Sequence, residues 1–357
     1  AVLANPHILP IVVEGDPKKD DIKDFTHKLA GSSYWSGAVS EYGVGDVTVS
    51  DPVVIAASDT TAPTSTTDAE IQTFLQTHLD GAHAGFGTPD ASTIYTIYYP
   101  ASTTVTLDEF GASCQSFGGY HSSTMVGSTE VPYAVMPRCS ELGPLQGEDD
   151  VMTGASTHEF IEAATDPFQS KPAYATVDEA HFYYDLMPLS EIGDMCTFES
   201  DSFVKPAEIG YAVQRVWSNK LAKAGASPCA PLDPTSTYFA AVPAPTENVT
   251  MDFGSQGSAN VKGVKLAVGQ SKTIDLDLVA SGPTADFIVQ AMDVPGYEGQ
   301  ASELSFALDD ENGNNGDVRK LTITRTATGS SYGGTEYIVT AYQDPTHYHL
   351  WMGWVSN

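Results

Sequence analysis

Basic residues are what this chain most lacks. Of its 357 residues only 16 are Lys or Arg, against 46 Asp or Glu, so the formal net charge is −30. The imbalance reflects missing bases more than surplus acids, because Ser, Thr, Gly and Pro fill the positions that charges usually hold. Such a field repels nucleic acid and anionic membranes, so neither is an expected partner. It suits an acidic or salty medium, where protonation or screening relieves self-repulsion. Runs of about 18 apolar residues are absent, which excludes a helical membrane span. The chain also lacks an initiator Met and a basic-then-apolar leader. It starts Ala1-Val2-Leu3-Ala4-Asn5-Pro6, as expected after removal of a secretion signal or propeptide. Cysteine is sparse: Cys114, Cys139, Cys196 and Cys229, none in the Cys-x-x-Cys spacing of zinc or redox sites. Four cysteines allow three pairings. The local one, Cys114–Cys139 with Cys196–Cys229, is expected, each bridge stabilising by about 3–4 kcal/mol on a chain-entropy model. No Ser/His/Asp arrangement stands out, and Gly118-Gly119 is too short for a phosphate loop. A secreted, extracellular monomer is expected.

What the chain does contain is Ser156-Thr157-His158-Glu159-Phe160-Ile161-Glu162-Ala163-Ala164-Thr165-Asp166-Pro167. On a helix, His158 and Glu162 lie one turn apart on one face. Glu159 projects about 100° away from His158. This is the layout of the zinc-protease helix His-Glu-x-x-His, with Glu in the second ligand position. Ser156-x-x-Glu159 also fits a capping box, which would make Glu159 structural and leave His158 in a first turn. Against that, Gly147-Glu148-Asp149-Asp150 offers an earlier start, with acids where the helix dipole favours them. Pro167 marks the end.

Downstream lies Ser190-Glu191-Ile192-Gly193-Asp194-Met195-Cys196. A catalytic zinc needs a third protein ligand and one open position. Likeness to the thermolysin-type enzymes implies a Glu on a second helix as that ligand, with a nearby Asp orienting the first His. Glu191 and Asp194 are the candidates for those roles, with either able to be the third ligand. The run from His158 through Thr165-Asp166-Pro167, Tyr183-Tyr184 and Glu191-Ile192-Gly193-Asp194-Met195-Cys196 resembles secreted proteins related to the Exordium (phosphate-induced) family. Ala30-Gly31-Ser32-Ser33-Tyr34-Trp35, Glu41-Tyr42-Gly43-Val44-Gly45, Gly118-Gly119-Tyr120-His121 and Gln214-Arg215-Val216-Trp217-Ser218-Asn219 extend the likeness in order over about two-thirds of the chain. The resemblance implies a zincin-like fold in the bacterial and archaeal relatives, and a growth-related cell-wall role in the plant ones.

The pattern predicts an α+β chain: a zincin-like mixed sheet with helices over residues 1–232, then an all-β immunoglobulin-like sandwich over 233–357. Expected elements of the first part are a strand over His7–Val13, a helix over Asp20–Leu29 and a strand over Val47–Ala57 interrupted by Asp51-Pro52. A helix over Asp68–Leu79 and strands over Ala91–Tyr99 and Val131–Met136 follow. Beyond Pro243-Ala244-Pro245, short β-rich segments alternate with turn clusters. Asp309 to Asp317 is acidic enough for a structural Ca2+ but lacks EF-hand spacing, so a solvated hairpin tip is expected. Tyr348 to Trp354 reads as a core strand rather than a carbohydrate-binding face.

The expected function is a secreted zinc-dependent endopeptidase that acts on protein or peptide substrates through metal-bound water. Zn2+ would be held by His158, Glu162 and Glu191 or Asp194, with Glu159 as general base and then proton donor. Tyr184, its neighbour Tyr183, or His121 would donate to the oxyanion. Two carboxylate ligands offset the charge of the zinc more than two histidines do, which lowers its Lewis acidity and eases entry of manganese, iron or calcium. Two alternatives stand beside this: a non-catalytic Exordium-like module with a structural metal or acidic cluster, and a glycosidase using Glu159 with Glu191.

Overall fold

The computed structural model describes residues 2–56, 64–108, 110–168, 191–197, 199–232, 237–252, 258–329 and 332–357. They fall into two compact units, residues 1–174 with 203–216, and residues 175–202 with 217–357. The division differs from a single cut after residue 232. One physical reason is the Cys196–Cys229 bridge, which ties the stretch before residue 203 to the second unit.

The first unit is built on strand β1 (His7–Val13), whose five central residues are all buried. A strand buried on both faces belongs inside a parallel sheet. β1 pairs in parallel with β2 (Thr48–Val49), β3 (Val53–Ile55) and β4 (Thr93–Tyr98). Asp51-Pro52 splits β2 from β3, since proline supplies no ladder N–H. β5 (Tyr120–Val126) runs antiparallel to β6 (Thr129–Met136), which pairs in parallel with β4, giving the order β2-β1-β4-β6-β5. The only antiparallel pairing in this sheet is therefore at the β5 edge.

Alternation assigns the faces. Leu9, Ile11, Tyr95, Ile97, Tyr133 and Val135 form one core with Ile71, Phe74 and Leu75 of a helix over Asp68–His78. That helix starts with a capping box between Thr67 and Glu70. The opposite face, through Tyr98, meets the long helix over Glu148–Thr165: the Tyr98 hydroxyl lies 3.1 Å from Ser156 Oγ. Helices thus cover both faces. A further helix over Lys19–Leu29 buries Ile22, Phe25 and Leu29. In chain order the three are α1 (Lys19–Leu29), α2 (Asp68–His78) and α3 (Glu148–Thr165). The Cys114–Cys139 bridge forms as expected.

The second unit is a β-sandwich. One sheet has the order β8-β11-β15-β13: β8 (Phe239–Ala244), β11 (Ser271–Ala280), β13 (Leu304–Leu308) and β15 (Val318–Arg325). The other has the order β9-β10-β17-β16-β12-β14: β9 (Glu247–Asp252), β10 (Ser258–Lys265), β12 (Phe287–Asp293), β14 (Asn312–Gly313), β16 (Gly334–Asp344) and β17 (His347–Ser356). The label β7 is kept for Val213–Gln214 of the first unit, which pairs antiparallel with Phe203–Val204. Leu276, Leu278, Leu321 and Ile323 from one sheet meet Val289, Val339, Ala341 and Val355 from the other. The Asp309–Asp317 stretch is a turn whose carboxylates meet protein partners: Asp310 accepts from Asn312, and Asp317 from Arg319. Tyr348–Trp354 is a core strand, with Trp351 and Trp354 buried. Among the described residues, no helix is long and apolar enough to cross a membrane.

Candidate metal centre

Helix α3 begins directly after Gly147 and carries Glu148, Asp149 and Asp150 in its first turn. The early start removes the capping-box reading. Ser156 sits in mid-helix, with its hydroxyl donating to the Met152 carbonyl at 2.7 Å. Thr153, Thr157 and Thr165 likewise return their hydroxyls to the helix's own carbonyls. These bonds satisfy polar groups that burial would otherwise strand, so α3 is buried nearly all round without an apolar sequence. Gly154 has a packing reason: a Cβ there would lie 2.6 Å from Leu145 Cδ1 and 3.1 Å from Phe203 Cε1.

One turn past Gly154 the helix delivers the expected pair. His158 Nε2 lies 3.0 Å from Glu162 Oε2. On its other side, His158 Nδ1 donates to the side-chain carbonyl of Gln214 on β7 at 2.9 Å. Gln214 is held in turn: its backbone N–H donates to Thr157 Oγ1 at 3.0 Å, and its backbone carbonyl accepts from the Tyr34 hydroxyl. Burial pushes the Tyr34 phenol well above its ordinary value, so it stays a donor. With the Nδ1 proton committed to Gln214, a neutral His158 turns a lone pair toward a carboxylate. A proton shared between them, on the ring or on the carboxyl, or a cation reconciles those two groups.

The antiparallel edge strand β5 brings a second histidine to the same place. His121 stands opposite Ala134 of β6. Its Nδ1 is 3.2 Å from Glu159 Oε2 and 3.7 Å from Glu162 Oε2. The neighbouring Tyr120 points to the other sheet face and donates to Asp68 Oδ1 at 2.8 Å, while Tyr133 donates to the same oxygen at 2.6 Å. Burial, then the Asp68 charge, raises the Tyr120 phenol; burial and the Asp68 hydrogen bond raise Tyr133. This clamp fixes the edge strand to the start of α2 and thereby sets where His121 stands. Gly119 opens room beside Glu159, since a Cβ there would come within 3.2 Å of Glu159 Oε1. Side-chain exposures of 16 % for His158, 8 % for Glu159, 2 % for Glu162 and 7 % for His121 make this a desolvated cluster. Each donor atom of His121, Glu159 and Glu162 lies within 4.8 Å of the other two, spacing compatible with one shared ion.

Four of the expected site residues, His121, His158, Glu159 and Glu162, therefore meet in the first unit. Glu191 and Asp194 belong to the second unit. Among the described residues they lie on and just before a 3-10 turn, Asp194–Cys196, with the Met195 N–H bonded to the Glu191 carbonyl at 3.2 Å. Tyr183 and Tyr184 lie outside the described residues. Sequence reasoning assigned no role to Gln214, Asp68 or Tyr133. Gln214 follows an irregular loop, and no local spacing connects it to His158, 56 residues away. Its inclusion in the Gln214–Asn219 motif was the only signal.

No protein-family model matches the chain, and no curated protein matches it either. Similar solved structures include domains 4 and 5 of the S-layer protein SbsC, at 14% identity and a TM-score of 0.19, over 32% of this chain and 47% of that one. A conjugative transposon lipoprotein from Bacteroides eggerthii aligns at 14% identity and a TM-score of 0.20, over 27% of this chain and 90% of that one. A titin M10–obscurin-like 1 immunoglobulin complex aligns at 13% identity and a TM-score of 0.16, over 26% and 82%. The chain spans about half the length of the S-layer fragment. At TM-scores of 0.20 or below, these likenesses carry no argument.

Proposed function

We propose that the first unit is a secreted zinc-dependent endopeptidase of zincin-like fold. The observation that carries this reading is the His158–Glu162 pair, whose nitrogen lone pair and carboxylate face each other at 3.0 Å with the other ring nitrogen already bonded to Gln214. One nitrogen and one carboxylate donor on a single helix face fit a zinc site. His158 and Glu162 would hold the ion. When bound, zinc supplies Lewis acidity toward a carbonyl and acidifies water.

The chain's own residues would do the rest. Glu159, oriented by His121, takes the proton of the attacking water and returns it to the leaving amine. His121 is thus assigned to positioning Glu159 rather than to the oxyanion. The β5 edge would accept an extended peptide by strand addition. The part-buried Asp68–Tyr120–Tyr133 clamp supports this reading, because it ties that edge to the start of α2. Secretion is supported by two disulfides, which persist in oxidising compartments. We read the second unit as an immunoglobulin-like accessory domain, since its strand orders follow the ABED and GFC sheets of that fold.

The test is hydrolysis of a denatured protein substrate by wild type beside Glu159→Gln. Loss of turnover with retained zinc is the expected result; full activity in the variant overturns the assignment. The low exposure of all four residues favours one other reading, a structural cation site in a non-catalytic module. Under that reading both proteins are inactive, and Glu162→Ala lowers stability instead.

A further inference from the structure

A second group of side chains able to ligate a metal lies wholly within the second unit. Glu199, Asp201 and His349 each bring one donor atom within 4.8 Å of the other two. Their placement follows from how residues 199–201 attach to strand β17. The Ser200 hydroxyl donates to the Tyr348 carbonyl at 2.6 Å and accepts from the Tyr348 N–H at 3.0 Å. This reciprocal pair pins the segment alongside the strand and sets the residues on either side of Ser200, Glu199 and Asp201, near His349.

Glu199 Oε2 accepts from His349 Nδ1 at 2.7 Å, and Glu199 Oε1 is 3.4 Å from the Leu350 N–H. His349 is walled by two aromatic rings, with Tyr238 at 4.8 Å and Phe239 at 5.1 Å between centroids. Those walls fix the ring plane, and the carboxylate fixes the tautomer.

The cluster is not sealed. Asp201 and His349 both line a cavity of about 440 Å³, whose polar wall includes Ser200, Thr237 and Thr284, with His347 at the rim. Glu199 is a buried carboxylate and Asp201 a partly buried one, and a positive charge shared with them offsets the cost of desolvating them. One imidazole donor disfavours magnesium and calcium, which take oxygen ligands, and two carboxylates disfavour copper(I). The three donor atoms lie within 4.8 Å of one another, near enough for small side-chain shifts to bring each to the roughly 2.0–2.2 Å that zinc requires.

We propose that Glu199, Asp201 and His349 form a second divalent-cation site, for Zn2+ or Mn2+, reachable from solvent through this cavity. The site does not depend on the His158–Glu162 centre. The test is isothermal titration of Zn2+, then Mn2+, into the chelator-stripped full chain. Four proteins are compared: wild type, Glu162→Ala, Asp201→Asn and the double variant Glu162→Ala/Asp201→Asn. Glu199→Gln serves as a second, near-isosteric probe, with far-ultraviolet circular dichroism checking that each variant is folded. The expected result is one equivalent bound by Glu162→Ala, weakened at least about tenfold by adding Asp201→Asn and likewise by Glu199→Gln. Equal binding by Glu162→Ala with and without Asp201→Asn overturns the proposal, as does no binding of either ion by Glu162→Ala. If Asp201→Asn loses one equivalent while Glu162→Ala loses none, this site stands and the His158–Glu162 centre falls.

Discussion

In the first unit the helix with the candidate ligands is buried nearly all round, although Ser, Thr, His and Glu make up much of its length. In the second unit, strand β11 alternates buried Ile274, Leu276 and Leu278 with outward Asp275 and Asp277, as an ordinary half-solvated sheet does. The two regions spend their polar residues differently. On β11 the carboxylates face water; Asp275, for example, meets the exposed Lys320. Glu159 and Glu162 of α3 face inward, where a charge is expensive unless it is paired or bound to an ion. Inward carboxylates next to histidine are therefore the informative feature, and in the second unit they recur at Glu199 and His349. Both places are candidate ion sites for the same physical reason, whereas the exposed acidic turn around Asp310 is not.

The largest expected effect is on turnover. Glu159→Gln should lower peptide hydrolysis by about 10²–10⁴-fold, the usual worth of a positioned general base, with metal content unchanged. Next comes a buried ion pair that sets the two units apart. Arg138 grips Asp16 with two bonds, at 2.7 and 2.9 Å, both side chains nearly inaccessible. Arg138→Met would strip the guanidinium from the buried Asp16 carboxylate and leave it the Lys18 N–H, at a cost of about 3–5 kcal/mol in urea unfolding. The matching change in the second unit, Lys272→Met beside Glu247, should cost only about 0.2–1 kcal/mol, because that pair is solvated. Similar costs for the two variants would erase the contrast.

A smaller effect tests the packing of α3. Gly154→Ala forces a methyl against Leu145 and Phe203, and should destabilise by about 1–3 kcal/mol although alanine is the better helix former. The smallest effect concerns acid. The His83 hydrogen bond and the Ala82 and His83 N–H groups hold Asp80 at about 2. Thr346, then His347, hold Asp344 at about 2. The unfolded value is about 3.9. A depressed carboxylate stabilises the fold above the unfolded value and loses that contribution as pH falls through the folded one. Both contributions should thus vanish between about pH 4 and 2, one in each unit, and Asp80→Asn or Asp344→Asn should flatten that part of a pH–stability curve slightly.

Much of the fold was legible in local pattern. The unbroken apolar run of His7–Val13 announced a doubly buried strand, Asp51-Pro52 announced a broken one, and both disulfides followed from sequence-local pairing. The His158–Glu162 register was legible because helix geometry is local. The cut between units was not, because a disulfide and a Ser200 clamp carry residues before 203 into the second unit, and such long-range ties leave no periodic trace. Gln214, the residue that orients His158, was hidden for the same reason. Among the described residues around Glu191, a single 3-10 turn, Asp194–Cys196, is the helical element present.

The central claim is that His158 and Glu162 hold a metal ion. Elemental mass spectrometry of the purified, dialysed protein, for wild type beside Glu162→Ala, tests it most directly. One equivalent of zinc more in wild type than in Glu162→Ala is the expected result. Equal metal in the two proteins, or none in wild type, would contradict the claim.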